Sequence, residues 1–129
     1  MNMTKYRILL RHPFIRKESY LYDLVRKYKP NIVVETGVFA GASTSFILQA
    51  MHDIGIGHLY SIDLPNQVQA RGGTNLLKCR ETGWMVPQRL RDRWILILGD
   101  AKEKLPSLVN HLNAIDFFHH DSFHSYEHM

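Results

Sequence analysis

The run from Val33 to Thr44, Val-Val-Glu-Thr-Gly-Val-Phe-Ala-Gly-Ala-Ser-Thr, constrains this chain more than any other segment. With Ile32, Val33 and Val34 it opens on a short apolar stretch of the kind that forms a buried parallel strand. An acid follows, then Gly37 and Gly41, then Ser43 and Thr44 at the head of an amphipathic segment. A strand that turns through glycines into a helix N-terminus gathers bare backbone N–H groups at one point. That geometry suits an anionic or hydrogen-bonding cofactor.

The rest of the chain repeats this alternation. Leu21, Leu24, Val25 and Tyr28 share one helical face over residues 19–28, with Ser19 as the expected N-cap and Lys29-Pro30 as the stop. Strands are expected at 31–35, 59–63, 94–98 and 114–119. A helix over 42–54 carries Phe46, Ile47, Ala50 and Met51 on one face and ends at Gly55 and Gly57. Another over 102–112 carries Leu105, Leu108, Val109 and Leu112, with Pro106 placed to shift its start. Near-continuous apolar strands alternating with helices predict an α/β fold, a Rossmann-like parallel sheet with helices on both faces. Residues 1–129 read as one domain with a helical N-terminal extension over 1–30.

The composition, 45% hydrophobic and 22% charged, is that of a globular protein. No apolar run approaches the roughly 20 residues of a membrane span, and the patch Ile8 to Leu10 is too short for a signal-peptide core. A single cysteine, Cys79, excludes an internal disulfide and a multi-cysteine metal site, and a cytoplasmic location fits. The net charge of +4 is only a weak pointer to nucleic acid, which is not an expected partner, because much of the excess sits between Pro65 and Arg93 rather than along a helix face. That stretch carries Arg71, Lys78, Arg80, Arg89, Arg91 and Arg93 against Glu81 and Asp92, with Gly72-Gly73 as a turn or hinge. It reads either as a lid or substrate loop, or as an irregular connection with a short helix near Val86–Arg91.

Three cofactor readings compete for the glycine stretch. A phosphate-binding P-loop needs four residues between its glycines and then a lysine; here three separate Gly37 from Gly41 and no lysine follows. A dinucleotide fingerprint needs a second glycine where Phe39 stands. The third is an S-adenosylmethionine site. Glu35-Thr-Gly37-Val-Phe-Ala-Gly41 resembles the first motif of class I methyltransferases. Ser61-Ile-Asp63 resembles the second, and Gly99-Asp100-Ala101 the segment beside the adenine. Ile115-Asp-Phe-Phe-His-His-Asp121-Ser-Phe-His124-Ser-Tyr126 resembles the fourth. The Asp-x-x-His-Ser-Tyr ending is similar to a subgroup typed by cephalosporin-hydroxylase-like and macrolide O-methyltransferases.

This resemblance implies roles by position. Glu35 would face the aminoacyl end of S-adenosylmethionine, while Gly37 and Gly41, with Ser43 at the helix head, would let the cofactor approach the backbone. The Asp63 carboxylate would accept from the ribose hydroxyls, and Asp100 or Ala101 would meet the adenine. Asp121 would help to hold Mg²⁺, and His124 would be the base that deprotonates an acceptor hydroxyl. Plainer roles stand beside these: a helix-dipole partner for Glu35, a solvated strand end for Asp63, a helix cap for Asp121 and a surface position for His124. His119, His120, His124 and His128 also invite a zinc reading. No His-Glu-x-x-His motif is present, however, and strand alternation sends His119 and His120 to opposite sides.

The strands correspond to four of the seven in the family's sheet, in the order 3-2-1-4. The expectation is therefore the cofactor-binding half of a methyltransferase that ends within the fourth motif. The expected activity is O-methyl transfer to a small-molecule hydroxyl, with Mg²⁺ as the implied metal and no membrane partner. The bare edge of strand four would allow a homo-oligomer. Two alternatives are a non-catalytic Rossmann-like fragment that self-associates through that edge and an enzyme dependent on NAD or another nucleotide.

Overall fold

The computed structural model describes residues 18–38, 40–64 and 81–120. Its elements, in chain order, are α1 (Tyr20–Tyr28), β1 (Ile32–Thr36), α2 (Ala42–Ile54), β2 (His58–Asp63), a 3-10 helix (Gln88–Arg93), β3 (Trp94–Leu98), α3 (Ala101–Leu112) and β4 (Phe117–His120). All strand pairs are parallel and the sheet order is β3-β2-β1-β4, as the sequence predicts.

Helices cover both faces of the sheet. On one, Leu21, Tyr22 and Val25 of α1 and Phe46, Ile47, Ala50 and Met51 of α2 pack with Val33, Leu59, Val86 and Leu90. The first helix is thus part of the core. On the other face, Val34 and Ile62 meet Leu108 of α3, flanked by Leu105 and Leu112. Strand β1 is central, and Val33 through Thr36 are all buried, which explains its unbroken apolar start.

Several local expectations are corrected. α2 was expected to be amphipathic, yet residues 43–51 are buried throughout, because α1, β2 and the 3-10 helix all pack against it. Ser19 makes no side-chain cap; α1 ends where Lys29 turns left-handed and donates its N–H to the Val25 carbonyl, leaving Tyr28 exposed. Helix α3 begins at Ala101 and runs through Pro106, which lies on its exposed side, where water reaches the carbonyl that lacks a helical donor. Val109, expected on its core face, is exposed. β4 starts only at Phe117; just before it, the Asp116 carboxylate accepts from the N–H groups of Asn31 and Ile32, and the Asp116 N–H donates to the Ile32 carbonyl. Within residues 81–93 the short helix falls at Gln88–Arg93 rather than Val86–Arg91. There Arg91 donates to the carbonyls of Gly83 and Val86 and lies over the Trp94 ring, so it staples the connection. The remainder of the Pro65–Arg93 stretch, 65–80, lies outside the described residues.

Candidate functional site

The carboxyl ends of the four strands bring together Gly37 and Val38 after β1, Asp63 and Leu64 at β2, Leu98 through Asp100 at β3, and His120 at β4. Ligands bind at this edge in open parallel sheets. Asp63 is its organising residue. One carboxylate oxygen accepts the Val38 N–H at 2.8 Å and the other the Leu64 N–H at 2.8 Å. The Asp63 carbonyl accepts from Gly99 N–H, and the Ile62 carbonyl from Gly37 N–H. Asp63 is therefore not a loosely solvated strand end: it is 8% exposed and stitched to the turns on either side. Leu64 and Leu98 present exposed apolar surface beside it, a pair that sequence patterning missed because apolar residues at strand ends read as core.

Glu35 lies elsewhere than expected. Its carboxylate is fully buried and accepts from Ser43 Oγ at 3.0 Å, from Thr44 Oγ1 and from Ser61 Oγ at 2.8 Å. Ser61 in turn accepts from the Trp94 indole N–H at 2.8 Å, and His119 Nδ1 stands 3.7 Å from the carboxylate. The expectation that Glu35 faces a cofactor is thus corrected: burying a carboxylate demands hydrogen-bond donors, and those come from β2 and the first turn of α2. The Ser43 hydroxyl is committed to the same latch.

Gly41 is corrected for a different reason. Its φ is +105°, and a Cβ there would lie 2.7 Å from Val86 Cγ2 and 3.3 Å from Gly83 Cα. The 81–86 segment sits on this glycine, with Met85 N–H donating to the Ala40 carbonyl, so Gly41 makes room for protein. Gly37, at φ +91°, turns the chain off β1 beside Asp63. Asp100 is the N-cap of α3, accepting the Lys102 N–H at 2.9 Å, and Ala101 is that helix's first residue.

Asp121 and His124, as well as His128, lie outside the described residues. His119 and His120 do face opposite sides: His119 sits by Glu35, and His120 Nδ1 lies 2.5 Å from Thr36 Oγ1. The Thr36–His120 contact was also missed; only the register that pairs Thr36 with His120 reveals it. Among the described residues no three His, Cys, Asp or Glu side chains cluster as metal ligands. Nor is any helix there long and apolar enough to cross a membrane.

A family model described as a methyltransferase domain matches residues 34–129. The chain belongs to the class I methyltransferase family. No curated protein matches it. Among solved structures it is similar to cofactor-bound Rv0187 from MTB, with TM-score 0.59 and 19% identity, covering 83% of this chain and 43% of that one. It is also similar to the O-methyltransferase from Bacillus cereus in complex with SAH (0.53, 20% identity, 86% and 45% covered). A third is the O-methyltransferase TomG from Streptomyces achromogenes, involved in tomaymycin synthesis and solved with SAM (0.50, 18% identity, 81% and 45% covered). At these identities the methyltransferase structures share the fold, and this chain spans less than half of their length.

Proposed function

We propose that this methyltransferase-family chain binds S-adenosylmethionine at the carboxyl edge of its sheet and serves O-methyl transfer to a small-molecule hydroxyl. The observation that carries the reading is Asp63, locked at the end of β2 by the Val38 and Leu64 N–H groups and flanked by the exposed side chains of Leu64 and Leu98. A carboxylate accepts hydrogen bonds from a ribose diol, and two apolar side chains beside it suit a flat purine. These residues fit the nucleoside part of the cofactor. Similar structures solved with SAH or SAM agree with this choice.

Bound there, S-adenosylmethionine supplies an electrophilic methyl group on a sulfonium. Asp63 orients the ribose, and Leu64 and Leu98 exclude water from the base. Glu35 acts at one remove, fixing the first turn of α2 through Ser43 and Thr44. The proton of the acceptor hydroxyl goes to His124, which supports catalysis as a general base. Asp121 is the residue assigned to Mg²⁺; no described side chain adds to that assignment.

Calorimetry tests the reading: S-adenosylmethionine binds the chain, NAD does not, and Asp63→Ala weakens binding. Absence of S-adenosylmethionine binding at millimolar concentration sinks it for this chain. A self-associating role has one supporting observation, the position of β4 at the sheet edge with Phe118 47% exposed. Light scattering decides it, and a strict monomer counts against it.

A further inference from the structure

At the opposite end of the sheet, a pocket of about 320 Å³ is lined by His52, His58, Arg89, Leu90, Asp92 and Arg93. His58 opens β2 and Asp63 closes it, so this pocket lies roughly 16 Å along the strand from the Asp63 edge. Leu90 is its one apolar lining residue, which argues against an apolar ligand. Two guanidinium groups and two imidazoles face it against one carboxylate.

The guanidiniums are held in place by neutral oxygens. Arg93 Nη1 donates to the Gly57 carbonyl at 3.2 Å, and Arg89 Nη2 donates to Gln49 Oε1 at 2.8 Å. Gln49 is fully buried, and its Nε2 donates to Asp53, which accepts from the Tyr22 hydroxyl. A partly buried relay of three side chains thus aims Arg89. Among the described residues neither guanidinium has a carboxylate within ion-pair distance, and Asp92 is the one acid that lines the pocket with them. Positioned, charge-bearing forks are what a tetrahedral oxyanion requires, because ordering them beforehand lowers the cost of binding.

We infer that this pocket binds the phosphoryl group of a small molecule, through Arg89 and Arg93 with His52 and His58 beside them. Asp92 then accepts a hydroxyl next to the phosphoryl group, which favours a phosphomonoester over free phosphate. The site is independent of the cofactor edge and stands whether or not S-adenosylmethionine binds there.

The test is calorimetric titration of the chain with inorganic phosphate, glycerol 3-phosphate and glycerol. Saturable binding of the two anions is expected, with none of glycerol. Arg89→Gln, an exposed position, should weaken it roughly tenfold or more, as loss of a charge-assisted hydrogen bond implies. His58→Gln, also exposed, gives a second reading, and thermal melts confirm that both variants fold. Tighter binding of glycerol 3-phosphate, lost in Asp92→Asn, identifies a phosphomonoester; equal binding of both anions identifies free phosphate. No saturation at about 10 mM, or affinity unchanged in both folded variants, overturns the inference.

Discussion

The Val38 N–H donates to the Asp63 carboxylate across 2.8 Å. This one bond ties the turn after β1 to the end of β2, so the residue assigned to the ribose also shapes the glycine turn beside it. If Asp63 holds the ribose as proposed, binding and local order share a single side chain.

Asp63→Ala should therefore do two things. It removes the ribose acceptor, and it leaves the Val38 and Leu64 N–H groups without their carboxylate, costing about 1–3 kcal/mol in stability. Asp63→Asn keeps one acceptor oxygen and should lose less stability while still weakening cofactor binding. Calorimetry alongside urea denaturation separates the two effects. Equal affinity in wild type and both variants would remove Asp63 from the site.

Glu35 gives the opposite expectation. Its carboxylate is sealed behind Ser43, Thr44 and Ser61, so Glu35→Ala should cost roughly 2–4 kcal/mol by leaving buried hydroxyls without an acceptor. Glu35→Gln should lose part of that, since an amide nitrogen cannot accept. Unfolding midpoints measure both. Full stability with reduced cofactor affinity would instead place the carboxylate in contact with ligand.

These two acids show what the sequence makes legible. The bounds of α2, Ala42–Ile54, follow from glycines at each end and an apolar run between them. The sequence cannot say that Ser61 and Trp94, distant along the chain, complete the latch around Glu35, because such partners depend on register between strands rather than on periodicity within one. The position of Asp63 was legible because it needs only the end of a strand. The 3-10 helix at Gln88–Arg93 was misplaced because its bounds follow from tertiary contacts such as the Arg91 bonds to Gly83 and Val86 rather than from apolar periodicity.

Gly41→Ala should destabilise the chain by about 1–3 kcal/mol, combining left-handed backbone strain with overpacking against Val86. Val86→Ala in the same chain should recover the steric part alone. Denaturant unfolding of the single and double variants checks this. Additive losses would show that Gly41 and Val86 do not press on one another.

Tyr22 offers a pH signature for the packing of α1. Burial, reinforced by the Asp53 carboxylate to which the hydroxyl donates at 2.5 Å, pushes the phenol up from 10.0 to about 12. Between those values the unfolded chain has released a proton that the folded chain keeps, so rising pH favours unfolding. The contribution is fully present below about pH 10 and is lost as pH climbs toward 12. Tyr22→Phe removes this group from the balance. The variant should start less stable by about 1 kcal/mol, having lost the hydrogen bond to Asp53, and should then lose less stability than the parent over that interval. Other alkaline titrations are common to both chains, so the difference between their urea midpoints isolates Tyr22. Parallel curves from pH 9 to 12 would mean that Tyr22 titrates alike in the folded and unfolded chains, and that the bond to Asp53 does not hold α1 against α2.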